Sequence, residues 1–308
     1  MNVASLAPRA IAAALALASV ASTARADDPA SFSVPFHAGR DRFVLIDATV
    51  NGLYPVRTLL DTGDAAPYVV LMTPALSARA GARPTGINLR SRAAIGPTAV
   101  AYRSVALRSF AIGSLAVTRP AAADSPAVAR VSGEGPRRFD AVVGGVFLRG
   151  HRIAIDYARA RVTFDGPLPP ETPLRFELAP RRPAVIVRAT VNGAGPFTFV
   201  LDTGAGATIL SRRAARLAGL RLGRGVSLYG GGGRMRGFRA VADAIRAGST
   251  ERSAVALVVA DVLGPASAET GRRLDGILGA PFFARGLLTI DYPRRAVWIG
   301  GPTEGENE

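Results

Sequence analysis

The chain of 308 residues contains no cysteine, no lysine, two histidines and one tryptophan, and aromatic residues make up only 6% of it. Each shortage removes a class of chemistry. Without cysteine there are no disulfides, no thiolate nucleophile and no thiolate metal site. His37 and His151 are too few for a histidine metal cluster and leave little for a Ser-His-Asp arrangement, so both are expected to be structural or surface residues. With aromatics so sparse, the core must rest on Val, Leu, Ile and Ala. All 38 basic side chains are arginine, against 23 acidic ones, for a net charge of +15. The arginines are scattered, at most in pairs such as Arg137-Arg138, Arg181-Arg182 and Arg272-Arg273. No basic helix stripe and no aromatic interleaving accompanies them, so nucleic acid is not an expected partner. On charge alone an anionic envelope polymer stays a candidate partner.

What is present begins with an address. Arg9 precedes an apolar run from Ala10 to Val20, and Ala24-Arg25-Ala26 supplies the small-x-small pattern before Asp27. This reads as a signal peptide over residues 1–26, cleaved after Ala26, and the expected location is periplasmic or secreted. The apolar run is shorter than the about 20 residues a bilayer span needs.

The remainder repeats itself. Val50-Asn51-Gly52, Pro55 and Leu60-Asp61-Thr62-Gly63 recur 141 positions later as Val191-Asn192-Gly193, Pro196 and Leu201-Asp202-Thr203-Gly204. Asp140-Ala141-Val142-Val143-Gly144 and Asp156-Tyr157 recur 135 positions later as Asp275-Gly276-Ile277-Leu278-Gly279 and Asp291-Tyr292. The order is preserved and the offset drifts by a few residues, as a duplicated unit requires. The repeat begins within a few residues of Ala26, so no long propeptide is expected. A Pro-rich stretch, 166–173, reads as a stiff linker. It separates an N-terminal lobe, 31–165, from a C-terminal lobe, 174–301, and an acidic tail, 302–308, follows.

Each lobe reads as β. Phe43 to Val50 is apolar and β-branched, Asn51-Gly52 is a hairpin turn, and a return strand from Leu53 to Leu60 delivers Asp61. Ala184 to Val191, Asn192-Gly193 and Phe197 to Leu201 do the same for Asp202. Ser211 then caps a short helix that Gly219 stops. Further strands are expected near 236–246, 253–260, 276–278, 287–291 and 297–299. Trp298 is expected in the core, and Asp156 and Asp291 as turn or hydrogen-bonding residues.

A lone Asp-Thr-Gly is an ordinary turn. Two copies, one per half of a duplicated fold, are brought face to face by a pseudo-twofold axis, as equivalent residues are in an isologous dimer. Two carboxylates at short range cannot both ionise cheaply, so they share a proton and provide an acid and a base at one site. Such a pair needs no cofactor and no metal. Thr62 and Thr203 can brace the loops with their hydroxyls, and Gly63 and Gly204 remove bulk where the loops meet.

The stretch Val200 to Leu210, with Asp202-Thr203-Gly204-Ala205 and Thr208, resembles the active-site motif of the retropepsin-like aspartic proteases. Ile277-Leu278-Gly279 and Val142-Val143-Gly144 look like that family's second hallmark, an apolar-apolar-Gly strand behind the catalytic loop. The resemblance spans both lobes. It implies an all-β, bilobal acid-protease fold of two duplicated β-barrel-like lobes with a cleft between them. It also implies an aspartic-type endopeptidase acting on peptide or protein substrates through Asp61 and Asp202, active as a monomer because both carboxylates lie in one chain. The alternative is a non-catalytic peptide- or glycopeptide-binding protein of the same fold. The first motif departs from the pattern at Asp64 and Pro67. Asp64 is expected to face solvent, because a buried unpaired charge is costly. Tyr229 with Gly230, Gly231, Gly232 and Gly233 is the expected flap over the cleft, flexible at its four glycines. The matching region of the first lobe, near Ala94 to Tyr102, is the weaker flap candidate.

Overall fold

Two hairpins of the same build carry the repeat. The strands Val44–Val50 and Leu53–Leu60 join through Asn51 and Gly52, at φ of 50° and 90°; Val185–Val191 and Ala194–Leu201 join through Asn192 and Gly193, at φ of 49° and 77°. Positive φ at both central positions is what a two-residue turn with the right twist demands, and Asn-Gly is the pair that supplies it. Each asparagine also ties its turn to the helix that follows. Asn51 Nδ2 donates to Ala80 O and Asn192 Nδ2 to Ala218 O, the cap residues of the helices Pro74–Arg79 and Arg212–Leu217. The computed structural model describes residues 30–38, 42–92, 95–133 and 138–300. The signal-peptide segment 1–26 and the tail 302–308 lie outside the described residues, as does Ala94.

In each lobe the return strand pairs in parallel with the short strand of the second hallmark. Leu60 faces Val143 of the strand Ala141–Val143, and Leu201 faces Leu278 of the strand Gly276–Leu278. Both short strands are buried throughout, which is why they read as unbroken apolar runs. A further antiparallel sheet is shared by the lobes, with strand order Leu174–Arg175, Ala296–Ile299, Leu287–Asp291, Arg152–Asp156, Arg161–Phe164 and Phe32–Ala38. At its centre Ala154 faces Thr289. These are equivalent positions of the repeat, so the pseudo-twofold axis passes between them. Asp291 is buried beside them and paired with Arg152 at 3.3 Å and Arg294 at 3.2 Å, while Asp156 accepts from the amides of Ala158 and Arg159. Both therefore serve the hydrogen-bonding role expected of them.

The described strands extend the sequence expectations by a few residues. Ala194 pairs with Val191 directly after the turn, and the strand Gly233–Ala247 begins three residues before 236. The helix Arg212–Leu217 starts at Ser211, whose Oγ accepts from Ala214 N, and ends before Gly219 at φ 65°. One expectation fails. Trp298 is half-buried at the sheet margin rather than in the core, and its indole N–H donates to Glu171 O at 2.6 Å, pinning the irregular stretch between the lobes. An indole needs a hydrogen-bond partner, and this margin provides one. No described helix is long and apolar enough to cross a membrane.

Candidate active site

The site forms where the two return strands end. Asp61 N donates to Val143 O at 2.9 Å and Asp202 N to Leu278 O at 3.0 Å, so each hallmark strand holds the start of its loop. The loops then clasp each other. Thr62 Oγ1 donates to Leu201 O at 2.8 Å and accepts from Thr203 N at 3.1 Å. Thr203 Oγ1 donates to Leu60 O at 2.7 Å and accepts from Thr62 N at 3.0 Å. Both threonines are fully buried, and each hydroxyl uses its donor and an acceptor site.

The clasp brings the two aspartates together. Their carboxyls hydrogen-bond to each other. Asp61 Oδ1 also accepts from Gly63 N and Asp64 N, both at 2.9 Å, and Asp202 Oδ1 accepts from Gly204 N at 2.8 Å. Glycine is obligatory in each loop. A Cβ on Gly63 would sit 2.3 Å from Asp202 Cγ, and one on Gly204 would sit 2.4 Å from Asp61 Cγ. The hallmark glycines pack behind the loops in the same way. A Cβ on Gly144 would meet Asp64 O at 2.5 Å, and one on Gly279 would meet Ala207 O at 2.3 Å.

Burial raises the proton affinity of both carboxyls. Asp61 is pushed above the usual carboxylate range, with its bonds to Asp202 and to the amides of Asp64 and Gly63 opposing the rise. Asp202 is pushed well above that range, first by burial, then by the charge and hydrogen bond of Asp61, and further by Asp64.

Asp64 does not face solvent as expected. It lines a cavity of about 230 Å³ beside the pair, and burial followed by the charge of Asp61 pushes its carboxyl up to about 7. Its backbone explains the orientation. Asp64 N is committed to Asp61, its carbonyl accepts from Gly145 N at 3.1 Å, and Oδ1 accepts from Ala66 N at 3.1 Å. In the second lobe Ala205 stands at this position, and Thr208 Oγ1 accepts from Gly279 N at 3.3 Å. Pro67 has no such hydroxyl in the first lobe, where the Asp64 side chain braces the loop instead.

Two hairpins roof the site. In the second lobe Tyr229 pairs with Arg234 and Gly230 with Gly233, so two of the four glycines lie in the ladder and only Gly231-Gly232 forms the turn. Tyr229 is 72% exposed and does not line the cavity. The first-lobe hairpin, strands Arg83–Arg92 and Ala99–Ala106, contributes Leu89, Arg90, Ser91 and Tyr102 to the cavity wall, and so takes the covering role expected of Tyr229. The hairpin tips meet: Gly232 N donates to Ile95 O and Thr98 N to Gly232 O, both at 3.0 Å. Arg130, on the helix Pro126–Val131, donates to Gly231 O at 3.1 Å. Tyr102 lies at the end of the region expected as the weaker flap candidate, and it lines the cavity. The sequence reading missed Arg182, Glu269 and Arg130, for which no local signal stands in the sequence. Among the described residues no group of His, Asp and Glu is arranged to hold a metal.

The family pattern described as "Aspartyl protease" matches residues 46–143 and 187–282, the two halves just compared. The chain belongs to the aspartyl protease family. Among solved structures, the crystal structure of the aspartic proteinase from Irpex lacteus is similar over 90% of this chain and 99% of that one, at 12% identity and a TM-score of 0.55. That likeness gives the bilobal fold. No curated protein matches this chain by sequence. The two matched segments each contain one Asp-Thr-Gly and one hallmark strand, and the solved neighbour spans both lobes.

Proposed function

We propose that this chain is an exported aspartic endopeptidase in which Asp61 and Asp202 activate water for peptide-bond hydrolysis. The observation that carries the reading is the mutual hydrogen bond of two half-buried carboxyls, one per repeat, each set against the other loop's glycine by the Thr62–Thr203 clasp. The pair shares one proton, and the stronger rise of Asp202 favours that residue as its holder. Asp61, kept the more acidic by two amide donors, takes a proton from the attacking water. Asp202 donates its hydrogen bond to the substrate carbonyl as charge develops there. The proton gained by Asp61 then passes to the leaving amine, and the shared-proton state is restored. Export rests on the leader pattern of residues 1–26.

Asp64 favours a second reading, a peptide-binding protein of the same fold, because a third carboxyl disturbs the charge count of the pair. Incubating the mature protein with a broad peptide library between about pH 3 and pH 7 separates the two. Cleavage blocked by a transition-state-mimicking aspartic protease inhibitor supports the peptidase. Retention of peptides without cleavage across that range supports the binding protein.

A further inference from the structure

The duplication allows one cross-strand position, outside the cleft, to be compared in the two lobes. In the first lobe Asp47 faces Arg57 across the hairpin, and His37 stands nearby on the neighbouring strand. Asp47 Oδ1 accepts from Arg57 Nε at 3.1 Å, and His37 Nε2 lies 3.6 Å from Asp47 Oδ2. The carboxylate at the centre of this set is satisfied by its neighbours. In the second lobe the same positions hold Arg188, Thr198 and Glu177. Arg188 faces Thr198 as Asp47 faces Arg57, and Glu177 faces Ile186 as His37 faces Leu45. An arginine has taken the place of the central carboxylate. Among the described residues neither the Arg188 guanidinium nor Thr198 Oγ1 has a partner.

Arg188 and Thr198 line a hollow of about 40 Å³ together with Arg175, Glu177, Ile186 and Arg272. Thr198 is only 8% exposed and forms the floor. Arg175 is held in place by its Nη1 donating to Arg294 O at 3.1 Å, and Arg272 pairs with Glu177. Three guanidinium groups against one carboxylate leave a surplus of two positive charges (three minus one). Asp275 does not cancel it, because that carboxylate accepts from Thr198 N at 3.2 Å and lies 3.6 Å from Arg213. A single water needs about 10–15 Å³ of such space, so the hollow admits a group of a few heavy atoms and excludes a sugar or a base. Guanidinium groups hold oxyanions through paired N–H donors, and a hydroxyl adds one more. A phosphate group carries about −1.5 to −2 at pH 7, which matches the surplus better than the single charge of a carboxylate.

We propose that this hollow is a binding site for a phosphate group, held by Arg175, Arg188 and Arg272 with the Thr198 hydroxyl at its floor. The site shares no residue with the cavity beside Asp61 and Asp202, and it stands independently of the protease reading. The first lobe offers no counterpart, because Asp47 at the centre of the equivalent set repels an anion. Free phosphate and the headgroup of an anionic phospholipid present the same chemistry to these residues.

Isothermal titration calorimetry of the full chain with inorganic phosphate tests this, with Arg188→Gln and Arg79→Gln as variants. Both side chains are exposed, so both variants should fold. Arg79, on the helix Pro74–Arg79 of the first lobe, removes the same charge far from the hollow in the repeat. The wild type and Arg79→Gln should bind one phosphate per chain. Arg188→Gln should bind at least about tenfold more weakly, the scale of one lost charge-assisted hydrogen bond. Co-sedimentation with vesicles of phosphatidylglycerol in phosphatidylcholine runs in parallel with the same variants. Vesicle binding weakened by Arg188→Gln and not by Arg79→Gln, without binding of free phosphate, supports the site and identifies the lipid headgroup as its source. Binding of neither probe, or binding on which the two variants do not differ, overturns the proposal.

Discussion

Thr62 and Thr203 each donate a hydroxyl hydrogen bond to the carbonyl that precedes the other's aspartate, and each accepts from the other's amide. Replacing Thr62 by Val keeps the shape but leaves Leu201 O and Thr203 N buried without these partners. An unsatisfied buried group costs about 1–3 kcal/mol, so Thr62→Val should lower stability by about that amount or more in chemical denaturation. Thr203→Val should behave alike, and the double variant should lose less than the sum because the two share a network.

Gly63→Ala tests the close approach of the loops. The added Cβ would sit 2.3 Å from Asp202 Cγ, so a carboxyl must move. A displacement near 1 Å costs about 10²-fold in rate, and kcat should fall at least that far. Gly52→Ala, with open space around its Cβ but φ of 90°, should cost stability and leave kcat nearly untouched.

Asp64 makes stability and activity depend on pH. Its folded carboxyl titrates at about 7, above the ordinary value near 3.8. The folded state therefore holds its proton where the unfolded state has released it, and stability falls as pH rises between those two values. Asp61 and Asp202 are shifted the same way. Asp64→Asn removes one of the three contributions, so its stability should decline less steeply over that window, measured by thermal unfolding at several pH values. Because Asp64 raises the proton affinity of Asp202, which holds the shared proton, the same variant should move the alkaline limb of the kcat/KM profile to lower pH.

Arg130 tethers one hairpin tip to the opposite lobe through Gly231 O. Arg130→Ala should free that tip. Hydrogen exchange at Gly232 N and Thr98 N, the two amides bridging the tips, should quicken, with exchange in the core strands unchanged.

Much of this was legible from residue order. The Asn-Gly turns, the strands they join and the Ser211 cap are local, and each is dictated by a few neighbouring residues. The repeat then converted two ordinary turns into a facing pair, because duplication implies an axis. The orientation of Asp64 was not legible in that way. It depends on Gly145 and Gly144, some eighty residues away, which hold the loop so that its side chain enters the cleft. The roof escaped for the same reason. Four glycines signal a mobile tip, yet Gly230 and Gly233 pair in the ladder, and the contact that matters joins Gly232 to Ile95 across the lobes. Trp298 alternates like a core residue, but the chain around Glu171 supplies its indole with a partner at the margin.

The central claim is that Asp61 and Asp202 act as one proton-sharing unit. Its most direct test is kcat/KM of the wild type, Asp61→Asn and Asp202→Asn on one cleavable peptide, with folding of each variant checked by thermal unfolding. Either substitution should remove nearly all activity, since neither carboxyl can serve as both acid and base, and the double variant should be no worse than the singles. A folded single variant that keeps substantial activity would contradict the account.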